Sequence, residues 1–142
     1  MRKVAGVLVI FTAGVVAGQL LGPNTAVVRA QGGKVYELRT YTAPEGKLTN
    51  LQARFRDHTI RIFNKHSMKS VGYWVPQDAP LKDNTLIYIL SHESREAAAK
   101  NWASFRADPE WVKAKADSEK DGALTTKVES VFADPTDFSA LK

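Results

Sequence analysis

The sequence predicts an α+β domain in which four antiparallel strands form one sheet with two helices on a single face. Three observations lead there. Lys34–Tyr41 alternates like a strand, with Val35, Glu37, Arg39 and Tyr41 on one face and Tyr36, Leu38 and Thr40 on the other. Lys47 to about His66 repeats apolar residues at helical spacing. Ser70–Pro76 and Thr85–Ser91 read as two strands joined by a short polar, Pro-bearing loop, which favours antiparallel neighbours.

The remaining elements follow in order. Ala43-Pro44-Glu45-Gly46 is turn chemistry and stops the first strand. The first helix carries Leu48, Leu51, Phe55, Thr59, Ile62 and Phe63 on one stripe, with Arg54, Asp57 and Arg61 expected on the other side. Ser94 is an N-cap candidate, and Glu96 falls in the first turn of a second helix reaching Phe105 or Arg106. Asp108-Pro109 restarts a helix with Pro109 at its first position and Trp111 turned inward, and Gly122 ends it. Ala123–Ala133 is the fourth strand, and Asp134–Lys142 is a polar tail with Phe138 and Leu141 as anchors. The order β-α-β-β-α-β is the ferredoxin-like arrangement.

Residues 1–30 stand apart from that domain, which is expected over 31–142. Arg2 and Lys3 precede an uncharged run of 18 residues, Val4 to Leu21, and Gly22-Pro23 breaks it. Val28-Arg29-Ala30 suits a cleavage site, so the segment reads as a secretory signal peptide cut after Ala30. The competing reading is a retained membrane anchor, since the run is just long enough to span a bilayer. The expected location is exported, periplasmic or secreted, with membrane contact only if the leader stays. The leader holds Arg2, Lys3 and Arg29 and no acid, so its loss lowers the formal net charge from +5 to +2. Nucleic-acid binding then loses most of its electrostatic support. The chain has no cysteine, which excludes disulfides, thiolate nucleophiles and Cys-based metal sites.

Helices can cover only one sheet face, so a monomer's other face should turn polar. The third strand does not oblige: Leu86, Tyr88 and Leu90 occupy one face, Ile87 and Ile89 the other. In the second strand Val71, Tyr73 and Val75 lie opposite Trp74. An uncovered apolar face of this size predicts an interface, most simply a homodimer packed sheet against sheet.

YELRTY in the first strand, GYW in the second, LIYIL followed by SHESREAA, and FRADPEW together resemble the NIPSNAP family. The resemblance covers roughly Val35 to Pro135. It implies the dimeric α+β barrel fold, two ferredoxin-like units joined through their sheets. It implies no reaction, because that superfamily includes cofactor-independent oxygenases, haem-degrading enzymes and simple binding proteins.

Candidate chemistry is sparse. Glu37 and Arg39 share a strand face and are spaced to pair. They read either as a polar floor for a substrate carboxylate or carbonyl, or as a structural ion pair in or at the rim of the dimer barrel. His66 falls on the angular line of Leu48, Phe55 and Thr59 and is expected to point toward the sheet. It reads as a general base or axial haem ligand, or else as a helix C-terminal cap. Tyr73 and Tyr88, on paired strands, are the better aromatic candidates for a pocket taking a hydrophobic or aromatic small molecule. His58 reads as a surface or interface residue and His92 as part of the second helix's entry turn. Neither they nor His66 match a metal-ligand spacing, so no metal and no cofactor is expected. Phosphate-loop, Gly-x-Ser-x-Gly and His-Glu-x-x-His patterns are absent from the sequence.

Two function classes compete. One is a dimeric binding module for a small molecule or a protein. The other is a cofactor-independent oxygenase or isomerase, which would require His66 and Arg39 to converge on a void lined by Tyr73 or Tyr88.

Overall fold

A computed structural model describes residues 33–142. The expected leader and its cleavage point lie outside the described residues. The strands are β1 (Val35–Thr42), β2 (Lys69–Trp74), β3 (Thr85–His92) and β4 (Lys127–Ala133). They form one antiparallel sheet in the order β2-β3-β1-β4. This is the ferredoxin-like topology expected from the element order.

The first long helix runs as α1 (Leu48–Arg54), a π-helical turn (Phe55–Thr59) and α2 (Ile60–Lys65). Leu51, Phe55, Thr59, Ile62 and Phe63 are buried along its inner stripe, as the spacing requires. It stops where Ser67 takes a left-handed conformation, φ 58, and the Met68 amide closes onto the Phe63 carbonyl. That reversal buries Met68 completely. Then α3 (Arg95–Ala107) begins with the Ser94 hydroxyl accepting from the Ala97 amide. The break at Asp108 starts α4 (Pro109–Ser118), with the Asp108 carboxylate accepting from the Glu110 amide. Gly122, at φ 108, supplies the turn after α4 that a residue with a Cβ would resist.

Cross-strand register separates the sheet's two faces. Glu37, Arg39 and Tyr41 oppose Leu90, Tyr88 and Leu86 on β3, and Phe132, Ser130 and Val128 on β4. This face lies beneath the helices, and Leu86, Tyr88 and Leu90 are buried there with Phe55, Phe63 and Phe105. The open face carries Leu38, Ile87, Ile89 and Val131, with Leu38 at 41% and Val131 at 61% exposure. Trp74 belongs to the same face: a Cβ on Gly72 would fall 2.6 Å from its ring, so the indole lies across a bare stretch of backbone. A bulge between Ser70 and Gly72 puts β2 out of simple alternation.

Four expectations need correction. Arg54 is buried and not on the outer side, because α4 packs over that flank of α1. A helical wheel shows which residues share a side, but not where a second helix lands. Strand four starts at Lys127, since residues 123–126 form the loop that buries Leu124. Phe138 and Leu141 do not anchor the tail; they are 86% and 47% exposed. The tail is held by the Tyr36 hydroxyl donating to the Lys142 carbonyl oxygen, 3.0 Å. The Glu37–Arg39 pair sits under the helices and not at a sheet-to-sheet rim.

Candidate functional site

Between the helical layer and the sheet lies a cleft of about 600 Å³. Its floor is Arg39 and Tyr41 from β1. One wall is Arg54, Phe55, Thr59 and Phe63 from the first long helix. The other comes from Trp102, Phe105 and Arg106 on α3 and Trp111, Lys115 and Glu119 at α4. Aromatic rings therefore enclose it, and four basic side chains face it against one carboxylate.

The floor is organised around Glu37, which is 1% exposed. One carboxylate oxygen accepts from Arg39 Nη1 at 2.5 Å and from the Ser130 hydroxyl at 2.6 Å. The other accepts from Trp102 Nε1 at 2.7 Å and His92 Nε2 at 3.0 Å. Burial alone would push this carboxyl's pKa up. The hydrogen bonds from His92, Ser130 and Trp102, together with the Arg39 charge, outweigh burial and hold it at about 2. Glu37 is thus a fully occupied anion that fixes Arg39. The Arg39 guanidinium stacks over Trp102 at 4.3 Å and reaches the Tyr41 hydroxyl at 3.2 Å, leaving its Nε buried without a partner.

The helical wall repeats this grouping. Arg54 Nη1 pairs with Glu119 Oε1 at 2.7 Å, and its guanidinium lies over Trp111 at 5.3 Å. Its Nε is also buried and unpartnered. Arg54 ends α1 immediately before the π turn. Within the turn the Arg54 carbonyl accepts from the hydroxyl of the cleft-lining Thr59, 3.1 Å.

The sequence candidates fare unequally. Arg39 is on the cleft floor, and Glu37 lies behind it. Tyr88 and Tyr73 are register partners with stacked rings, centroids 5.5 Å apart. The Tyr88 hydroxyl is buried without a hydrogen-bond partner, and burial pushes its pKa well up. Tyr73 is on the far side of Phe55, in a second pocket of about 300 Å³, with its hydroxyl 2.6 Å from Ser70 Oγ. His66 does not point to the sheet or join the cleft. Its Nε2 meets Asp108 Oδ2 at 2.7 Å and its Nδ1 meets Ser104 Oγ at 2.8 Å, so it ties the end of α2 to the α3–α4 break. His92 is not in a helix turn; it ends β3, buried against Glu37. His58 is exposed. Among the described residues, no group of three or more His, Asp or Glu side chains is placed to hold a metal.

Sequence reading missed Arg54, Arg106, Lys115 and Glu119. For Arg54 a local cue existed: it directly precedes the core residue Phe55 and follows Leu51 by three. The others depend on how α4 folds back.

This topology and its helix-covered cleft define a ferredoxin-like α+β protein, of the fold found in dimeric α+β barrels. The chain belongs to the NIPSNAP family, whose model matches residues 36–140. It is similar to a NIPSNAP family protein with unknown function from Agrobacterium tumefaciens, at 27% identity and a TM-score of 0.68, covering 79% of this chain and 96% of that one. A NIPSNAP-like domain protein from Burkholderia xenovorans is 21% identical with a TM-score of 0.66, covering 76% of this chain and 90% of that one. SnoaB, a cofactor-independent oxygenase from Streptomyces nogalater solved in a mutant form, is 14% identical with a TM-score of 0.50, covering 76% and 97%, and shows the fold alone. No curated protein sequence matches significantly.

Proposed function

We propose that this chain is a small-molecule binding module whose cleft takes an acid with an aromatic or apolar body. One observation carries the reading: a ring-lined cleft holds two arginines, Arg54 buried and Arg39 part-buried, each with a buried, unsatisfied Nε. Buried donors without acceptors favour an anionic ligand, and rings favour an apolar body. The competing reading, a cofactor-independent oxygenase or isomerase, needs a free base beside Arg39. Glu37 is taken up by four donors and His66 by Asp108 and Ser104, which supports binding over turnover.

Trp102 and Trp111 line the cleft while Trp74 does not. Titration with 2-naphthoate should therefore quench intrinsic fluorescence saturably. Ala116→Trp, at an exposed cleft-lining position of α4, should abolish that response without unfolding the chain. Undiminished binding in this variant would place the ligand elsewhere.

The wider reading is an exported homodimer. The apolar open face of Leu38, Ile87, Ile89 and Val131 supports pairing sheet against sheet. Light scattering at micromolar concentration should give twice the chain mass, and Leu38→Glu should give a monomer. A wild-type monomer would refute the pairing. Export with cleavage predicts a native mass beginning at Gln31; a mass beginning at Met1 would refute it.

A further inference from the structure

Next to the cleft, a groove of about 290 Å³ runs between α3 and the β1–β4 edge of the sheet. Arg95, Ala99, Trp102 and Arg106 line it from α3. Their spacing, i, i+4, i+7 and i+11, puts them on one helix face. Ala99 leaves space where a longer side chain would close the groove. Phe132 forms the opposite wall, and the Arg95 guanidinium lies over its ring at 3.6 Å. That stacking holds the arginine in place before any ligand arrives. Among the described residues, neither Arg95 nor Arg106 has a carboxylate partner within ion-pair distance. The one acid lining the groove, Glu37, is already saturated by its four donors.

Groove and cleft share Arg39, Trp102 and Arg106 as lining residues. They are adjoining compartments with a common wall. We propose that the groove is a second anion subsite, and that the ligand is a two-headed acid. Its apolar body lies in the cleft, and its second carboxylate is held in the groove by Arg95 and Arg106. The planar fork of each guanidinium suits a carboxylate, and the Arg95 fork is already oriented by Phe132. The inference rests on the reading of the cleft as an acid site and deepens it by naming the ligand class.

The test compares 2-naphthoate with 2,6-naphthalenedicarboxylate by tryptophan quenching. The diacid should bind about ten-fold more tightly, since charge-assisted bonds of this kind are the strong ones. Arg95 lines the groove and not the cleft, and it is exposed in the first turn of α3, where substitution spares the core. Arg95→Ala should cancel the diacid's advantage and leave the 2-naphthoate affinity unchanged. Arg95→Lys should restore part of it. Equal affinities for the two probes, or an advantage that survives Arg95→Ala, would overturn the second subsite while the cleft reading stands. If neither probe quenches, the cleft reading falls and takes the subsite with it.

Discussion

The cleft contains the same trio twice, a glutamate, an arginine and a tryptophan, and the two copies are not equivalent. On the floor, Glu37 holds Arg39 beneath Trp102; on the helical wall, Glu119 holds Arg54 beneath Trp111. In the first trio the carboxylate is the buried member, 1% exposed, and accepts from four donors. In the second the arginine is the buried member, 3% exposed, while the Glu119 side chain is 20% exposed at the end of a short helix. A saturated buried carboxylate has no cheaper alternative, because losing any partner leaves a charge in low dielectric. A carboxylate that is one-fifth exposed can exchange its arginine for water. The floor trio is therefore fixed framework. The wall trio is an internal salt bridge that, on the proposed reading of the cleft, an incoming acid would replace.

The largest expected effect breaks the floor. Glu37→Gln keeps the shape but leaves Arg39 uncompensated, and should cost about 3 kcal/mol in urea unfolding. A cost near zero would show that the pair is not the framework described. The same asymmetry has a pH signature. The Glu37 carboxyl is held at about 2 against an ordinary 4.5, so its contribution is complete above about pH 4.5. It is lost as pH falls toward 2, because the unfolded chain takes up the proton first. The full swing is worth roughly 3 kcal/mol, and Glu37→Gln should flatten this acid limb.

Smaller effects sharpen the contrast. Glu119→Gln keeps an acceptor for Arg54 and should cost only about 1 kcal/mol. By removing the competing charge it should tighten 2-naphthoate binding several-fold in a fluorescence titration. Weaker binding would mean that Glu119 takes part in holding the ligand. Smallest is His66→Ala, which cuts the tie to Asp108 and Ser104 and should cost below about 1 kcal/mol. Ligand affinity should not move, because His66 lies outside the cleft. A large loss of affinity would restore His66 to the site.

Much of the architecture was legible because its causes are local. Alternation in Val35–Thr42, the Ser94 cap, the helix restart at Asp108-Pro109 and the glycine after α4 each depend on a few neighbouring residues. The pairing of Glu37 with Arg39 was legible too, since two residues apart on a strand means the same face. The expected apolar character of both faces of β3 also stands, with Leu86, Tyr88 and Leu90 inside and Ile87 and Ile89 on the open side. His66 was misplaced because its angular line on the helix extends to a residue where the helix has already ended. There the backbone turns, and the ring meets α3 and α4 and not the sheet. The bulge in β2 and the π turn were not legible, because both are departures from the period used to read them.

By itself, then, the sequence determined the order of elements, the two faces of the first strand and the family. Each follows from short-range periodicity or from a local run of residues. Only the tertiary structure decided which charges share the cleft. Arg54 meets Glu119 across 65 positions, and Glu37 meets Ser130 across 93. Those meetings depend on how α4 folds over α1 and on which strand flanks β1. Such long-range packing carries no period along the chain, so it appears only once the helices are laid on the sheet.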